Sequence, residues 1–317
     1  MAKFYDISDW QELDFYNTGG TRNKAVFENP NTGELYYFKT SLKKEDRDYK
    51  YEFWSEILAS EIGEELSFNT LPYDIAYCKN KEGEGKIGCL SKSMVDTNKE
   101  KFSEGINYLR AYDPNYDPKD EKSSYTFNFI EKALDNSLLR GEMYHLVKTI
   151  IFDSLIGNGD RHQENWGFII PNYQNEDEDF KILIESLMSS FTPIYDSGSS
   201  LGRELTDERV DLLLRDSTML EAYINRSDSK IRWENKKISH FDLLKRIIEE
   251  TTYKEIVEDE IKRIGEIFNT EIIDSVVDNV NVALPENLEQ YKLPENRKQL
   301  IKFFVSLRYE RLMKILS

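Results

Sequence analysis

The chain of 317 residues carries 42 Lys and Arg against 59 Asp and Glu, a formal net charge of −17. That sign argues against nucleic acid as the main partner, because phosphate binding needs a basic footprint. A phosphate ligand bridged by a metal stays open, since the cation supplies the positive charge. With four Trp, 19 Tyr and 17 Phe the chain can bury a sizeable core, so disorder throughout is excluded despite 32% charged residues. The length suggests two domains at about 150 residues each. No run approaches the roughly 18 apolar residues that a membrane helix needs, and no integral membrane segment is expected. The start, Met1 to Trp10, lacks an apolar h-region, so no Sec leader is expected. Two cysteines, Cys78 and Cys89, cannot make a disulfide framework or a zinc site, which fits a reducing cytoplasm.

In chain order, Lys24-Ala25-Val26-Phe27 and Leu35-Tyr36-Tyr37-Phe38 read as two strands. Asn29-Pro30-Asn31-Thr32-Gly33 between them is hairpin chemistry, because Gly and Asn tolerate positive φ and Pro blocks strand continuation. Trp54, Ile57, Leu58 and Ile62 recur at helical spacing within a helix from about Tyr49 to Glu65. Tyr73 to Tyr77 and Ile87 to Leu90 read as two further strands. Asp96 to Ser124, with Pro114, Pro118 and many charges, reads as a linker and solvated loop. Leu146, Val147, Ile150, Ile151, Ser154 and Leu155 predict a helix from about Leu138 to Ile156. Trp166 to Ile170 and Ile182 to Ile184 read as strands around an acidic turn, Asn175 to Asp179. From about Leu205 the remainder is helix-rich, ending in Lys302 to Leu316. The order predicts an α+β protein, a small β-rich N-lobe with one helix over 1–92 and a larger, mostly α-helical C-lobe over 93–317. Such an order suggests a site between two lobes.

Four features carry chemistry. Gly157-Asn158-Gly159-Asp160-Arg161-His162-Gln163-Glu164-Asn165 follows the apolar helix and precedes a strand. Gly157 and Gly159 let the helix stop and the loop turn. Asp160 and Asn165 are spaced as the Asp and Asn of a protein-kinase catalytic loop, where a carboxylate takes the substrate hydroxyl proton and an amide oxygen helps hold Mg2+. Tyr195-Asp196-Ser197-Gly198 places an acid at the end of an apolar strand with Gly two residues on, so that Asp196 would be the main Mg2+ ligand and Gly198 would turn the chain away. Gly19-Gly20-Thr21-Arg22-Asn23-Lys24 is a turn whose amides could cradle phosphates. Lys39 ends the second hairpin strand and Glu56 lies on the next helix, the order of a phosphate-contacting Lys and its pairing Glu. Each feature alone is ordinary: a loop cap, a turn, two solvated charges. Their order along the chain is the one phosphoryl transfer needs. Asp153 is expected to tie the loop amides, and His145 and His240 to be structural or surface residues.

The loop Leu155 to Asn165, followed by Trp166-Gly167-Phe168 and then Tyr195-Asp196-Ser197-Gly198, resembles the HipA-like serine/threonine kinases, in particular their short single-unit, CtkA-type branch. The resemblance covers roughly Gly19 to Leu201. It implies a two-lobed protein-kinase-like fold and an ATP- and Mg2+-dependent protein serine/threonine kinase, autophosphorylating and toxin-like. By that resemblance Asp160 is the catalytic base, with Asn165 and Asp196 also catalytic as metal ligands. Lys39 contacts the ATP phosphates, and Gly19, Gly20, Thr21, Arg22, Asn23, Lys24, Glu56 and His162 complete the nucleotide-binding set. The adenine would contact backbone near Leu90 to Ser93.

The partner implied is a protein with a Ser or Thr hydroxyl, in the cytoplasm or after delivery as an effector without a Sec signal. The Asp-Arg-His-x-x-Asn wording is also that of phosphoinositide kinases, which leaves a lipid acceptor as an alternative. A non-catalytic nucleotide-binding regulator is the other, although it would have no chemical need for Asp160. Lys39→Met is expected to stop turnover with stability near that of the wild type.

Overall fold

The computed structural model describes residues 1–13, 24–45, 47–79, 83–119, 125–174 and 177–317. Strands β1 (Phe4–Asp6), β2 (Gln11–Glu12), β3 (Lys24–Glu28) and β4 (Leu35–Thr40) lead into helix α1 (Glu52–Glu65), then β5 (Asp74–Lys79) and β6 (Gly85–Lys92). The six strands form one sheet in the order β1-β5-β6-β4-β3-β2, with β1 parallel to β5 and the other pairs antiparallel. The hairpin forms as expected. Asn29 N–H donates to the Glu34 carbonyl (2.9 Å), and the Asn29 side-chain oxygen accepts the Asn31 N–H (2.9 Å). Ile7, Phe27, Phe38, Ala76 and Leu90 pack as one buried cluster on this sheet. Full burial of a side chain of this kind contributes about 1.5–3 kcal/mol.

The chain then forms β7 (Glu100–Glu104), α2 (Gly105–Tyr112), α3 (Phe127–Asn136), α4 (Met143–Ile156), β8 (Gly167–Pro171), α5 (Glu178–Met188) and β9 (Ser190–Phe191). Helices α6 (Asp207–Arg215), α7 (Ser217–Asn225), α8 (His240–Glu250), α9 (Lys254–Ile267), α10 (Thr270–Asn279) and α11 (Glu295–Met313) follow. β7, β8 and β9 make a small antiparallel sheet. The class is α+β: a curled sheet from the N-terminal region, and helices through most of the remainder. Among the described residues no helix is long and apolar enough to cross a membrane.

Two compact units result. One comprises Met1–Ser93, Asp196–Leu220 and Asn269–Ser306; the other comprises Met94–Tyr195, Glu221–Phe268 and Leu307–Ser317. In the first, α1 packs on β4, β6 and α10. In the second, α4 packs against α8 and α9, and its Leu146, Val147, Ile151 and Leu155 are fully buried.

Two elements differ from the sequence expectation. Asp96 to Ser124 is not wholly linker, since β7 and α2 form within it. Ile106 and Leu109 are buried there, and β7 gains its ladder from β8, a partner about 65 residues on. Ile182 to Ile184 is not a strand but the middle of α5. Asp177 caps that helix by accepting the Phe180 N–H (3.0 Å), a start signal concealed in the acidic run. The Asn175 and Glu176 positions of that run, and the Gly19, Gly20, Thr21, Arg22 and Asn23 turn, lie outside the described residues.

Candidate active site

In the first unit, strand register fixes Lys39 opposite Lys24 on β3 and Cys89 on β6. Its side chain is 7% exposed. The ammonium donates to Glu56 Oε1 and to Asp196 Oδ1, the latter at 2.6 Å. Glu56 is fully buried on α1, which Trp54, Ile57 and Leu58 seat in the core. The Trp54 indole N–H donates to the Tyr291 carbonyl (2.8 Å). At the start of α1, Glu52 accepts the Leu42 N–H (2.8 Å) and pairs with Arg203 (3.0 Å), whose guanidinium lies 4.4 Å from the Tyr49 ring centroid. Glu56 is therefore placed by packing and by polar anchors on both flanks.

The second Glu56 oxygen accepts the Ser197 N–H at 2.7 Å, which ties the residue after Asp196 to the same carboxylate. Asp196 adopts a left-handed backbone, φ 53°. Such a conformation in a non-glycine residue costs of order 1–3 kcal/mol and collects at functional positions. The expected turn at Gly198 is thus made two residues earlier. Gly198 is small for another reason, because a Cβ there would lie 2.9 Å from Glu56 Oε1. Asp196 N–H donates to the Tyr73 hydroxyl (3.3 Å), and Lys24 Nζ lies 3.8 Å from Asp196 Oδ2. Burial first, then the Glu56 charge, pushes the Tyr73 phenol well above its usual range and raises the Cys89 thiol. The donor set is hard oxygen beside two ammonium groups, which suits a metal-polyphosphate and not a soft metal.

In the second unit, α4 ends at Gly157, φ 68°, where glycine bears the left-handed turn at no steric cost. Arg161 is 1% exposed and organises the loop from inside. It donates to both oxygens of Asp153 (3.0 and 2.8 Å), to the Asn165 carbonyl (2.9 Å) and to the Tyr195 carbonyl. Asp153 also accepts from the Asn158 amide (3.0 Å). It therefore binds the side chains of Asn158 and Arg161, where sequence reasoning placed it on loop amides. The Tyr125 hydroxyl donates to the Arg161 carbonyl (3.0 Å) and accepts the Trp166 indole N–H (2.8 Å).

On this frame the Asp160 side chain is 36% exposed, with Lys230 Nζ 3.6 Å away. The Asn165 amide nitrogen donates to the Asp160 carbonyl (2.9 Å), which assigns its side-chain oxygen as the acceptor end of that group. The His162 ring accepts the Glu164 N–H at Nδ1 (3.2 Å). Among the described residues no cluster of three or more His, Cys, Asp or Glu could hold a metal alone.

The structure brings Lys39, Glu56, Asp196 and Lys24 together, and separately Asp160, Asn165 and His162. Sequence reasoning missed Arg161, Tyr125, Lys230 and Arg308. Arg161 had a signal, its place beside Asp160. The others come from distant segments and had none. His240, expected to be structural or at the surface, is 1% exposed, and its Nε2 lies 2.9 Å from the Asn158 carbonyl.

These features define a protein of the protein-kinase-like fold class. Its resemblance to particular solved structures is equally direct. The crystal structure of the Helicobacter pylori proinflammatory kinase CtkA superposes with a TM-score of 0.75 at 22% identity, over 98% of this chain and 95% of that one. HipA, in the Shewanella oneidensis MR-1 complex of HipA, HipB and operator DNA, matches with a TM-score of 0.53 at 13% identity, over 95% of this chain and 65% of that one. No protein-family model matches the chain, and no curated protein matches its sequence. The resemblance to HipA-like kinases read from the loop residues is borne out at the level of fold.

Proposed function

We propose that the chain is an ATP- and Mg2+-dependent phosphotransferase that acts on Ser or Thr hydroxyls of proteins, itself included, in the cytoplasm or after delivery as an effector. The observation that carries this reading is the Lys39–Glu56–Asp196 cluster. Taking an ion out of water costs several kcal/mol, and a buried ion pair adds no stability that apolar packing could not supply. A buried cation with two carboxylates is retained where chemistry needs it.

When bound, Mg2+–ATP supplies the transferable phosphoryl group. Lys39, held by Glu56, would bind the phosphates, and Asp196 and Asn165 would each be metal ligands. Gly19 to Lys24 and His162 complete the nucleotide-binding set. Asp160 orients the acceptor hydroxyl and takes its proton as the new bond forms, a role worth about 10²–10⁴-fold.

The test is incubation with γ-labelled ATP and Mg2+, in the presence of a mixed protein acceptor or phosphoinositide vesicles. Label recovered as phosphoserine or phosphothreonine, on acceptor and on the chain itself, is the expected result. Label on lipid alone overturns the protein acceptor, and no label in any arm overturns phosphotransfer.

A further inference from the structure

The catalytic-loop residue Asn158 is held from two sides. Its side chain oxygen accepts the Asp160 N–H (3.1 Å) and its side chain nitrogen donates to Asp153 (3.0 Å). Its backbone carbonyl faces His240 Nε2 at 2.9 Å. His240 opens α8 and is 1% exposed, and Asn158 is equally buried. Behind the ring, Arg308 of α11 places Nη2 3.3 Å from His240 Nδ1 and donates to the Ser154 carbonyl near the end of α4. Its guanidinium lies 5.0 Å from the Phe241 ring centroid. The Ser227 carbonyl and hydroxyl lie 3.1 and 3.4 Å from the same Nδ1.

A carbonyl can only accept, so the Asn158 carbonyl 2.9 Å from Nε2 places a ring proton there, while Nδ1 meets a donor in Arg308 and an acceptor in the Ser227 carbonyl. We propose that His240 is a positioning residue for phosphoryl transfer: through Asn158 it fixes the backbone at Asp160, and Arg308 packs behind its ring. The inference rests on the catalytic role of Asp160 given above. The chain of contacts is Arg308, His240, Asn158 and the Asp160 amide, each group buried or at the loop itself. A purely structural histidine would influence whether the protein folds. A positioning histidine influences how fast the folded protein turns over, because small misplacements of a catalytic group are expensive.

The experiment compares His240→Leu, which keeps the bulk and loses the donor, with His240→Gln, which keeps a donor amide. Thermal stability, kcat, KM for ATP and hydrogen exchange of the Asp160 amide are measured on each. His240→Leu is expected to lose about 10–100-fold in kcat. KM for ATP should stay within about twofold, Asp160 exchange should quicken, and His240→Gln should recover most of the loss. Wild-type kcat in folded His240→Leu overturns the proposal, as does a loss that follows stability alone with no recovery in His240→Gln. If His240→Leu does not fold, His240→Phe, which also lacks the donor, takes its place against His240→Gln and is read by the same outcomes. Should the wild type transfer no phosphate, the functional reading fails. Asp160 exchange that quickens in His240→Leu but not in His240→Gln upholds the tether in that case, and unchanged exchange removes it.

Discussion

Removing the cation from the Lys39 cluster has a cost that can be worked from the structure. Lys39→Met leaves Glu56, fully buried, and Asp196, about one-tenth exposed, without the ammonium that both contact. Breaking a buried ion pair from one side costs about 3–5 kcal/mol, because the charge left behind is not solvated. This revises the expectation from residue order alone, that stability would stay near wild type. Lys39→Met should therefore lose both turnover and about 3–5 kcal/mol of unfolding free energy. Lys39→Met combined with Glu56→Gln should regain part of that loss, since one stranded charge is gone, with a coupling of about 0.5–3 kcal/mol. Urea denaturation at neutral pH, followed by circular dichroism, reads the difference. If Lys39→Met stays within about 1 kcal/mol of the wild type, the value for an exposed pair, the buried-cluster argument is refuted.

Two further outcomes are expected. Asp196→Asn should remove most of the Mg2+ dependence of ATP binding by calorimetry, and equal affinities with and without Mg2+ in both proteins would refute the metal assignment. Stability should fall as pH drops from about 6.5 toward 4, because burial and Arg308 lower His240 to about 4, against the opposing pull of the Asn158 carbonyl, then Asp153 and the Ser227 carbonyl. The unfolded chain then takes up a proton that the folded chain refuses. The contribution is complete above about pH 6.5 and reaches at most about 3.4 kcal/mol at about 1.36 kcal/mol per unit. Half-buried His145, also lowered, adds in the same direction, whereas Glu61 and Glu142, raised by burial, oppose it. The difference in slope between wild type and His240→Gln isolates His240, and identical slopes would refute its burial as a neutral ring.

Local patterns carried much of the fold. The hairpin of β3 and β4, the helix bearing Glu56 and the glycine-stopped α4 each follow from residues close in sequence. Lys39 and Glu56 were legible because strand, helix and loop order constrains them without any long-range contact being known. The failures have two physical causes, a deciding partner that is distant and a local run that fits two elements. β7 is a strand because β8 pairs with it, and the Asp96–Ser124 stretch holds too few apolar residues to announce this alone. In α5, Phe180, Leu183 and Leu187 recur at helical spacing, yet Ile182, Leu183 and Ile184 in a row mimic a strand core. Residues 196–220 and 269–306 join the first unit through contacts such as that of α10 on α1. At the site, Asp196 was read as an acid that ends a strand, whereas β9 ends at Phe191, five residues earlier. Its left-handed backbone was not legible, since Gly198 offered the cheaper turn and only the proximity of Glu56 explains that glycine.

The central claim is that Asp160 serves the chemical step. The most direct measurement is single-turnover phosphoryl transfer from Mg2+–ATP by wild type and Asp160→Asn, with ATP affinity determined on the same preparations. The substitution is nearly isosteric and the side chain is partly exposed, so folding and affinity should be unchanged. The transfer rate should fall about 10²–10⁴-fold. Transfer by Asp160→Asn at the wild-type rate, with full ATP binding, would contradict the account.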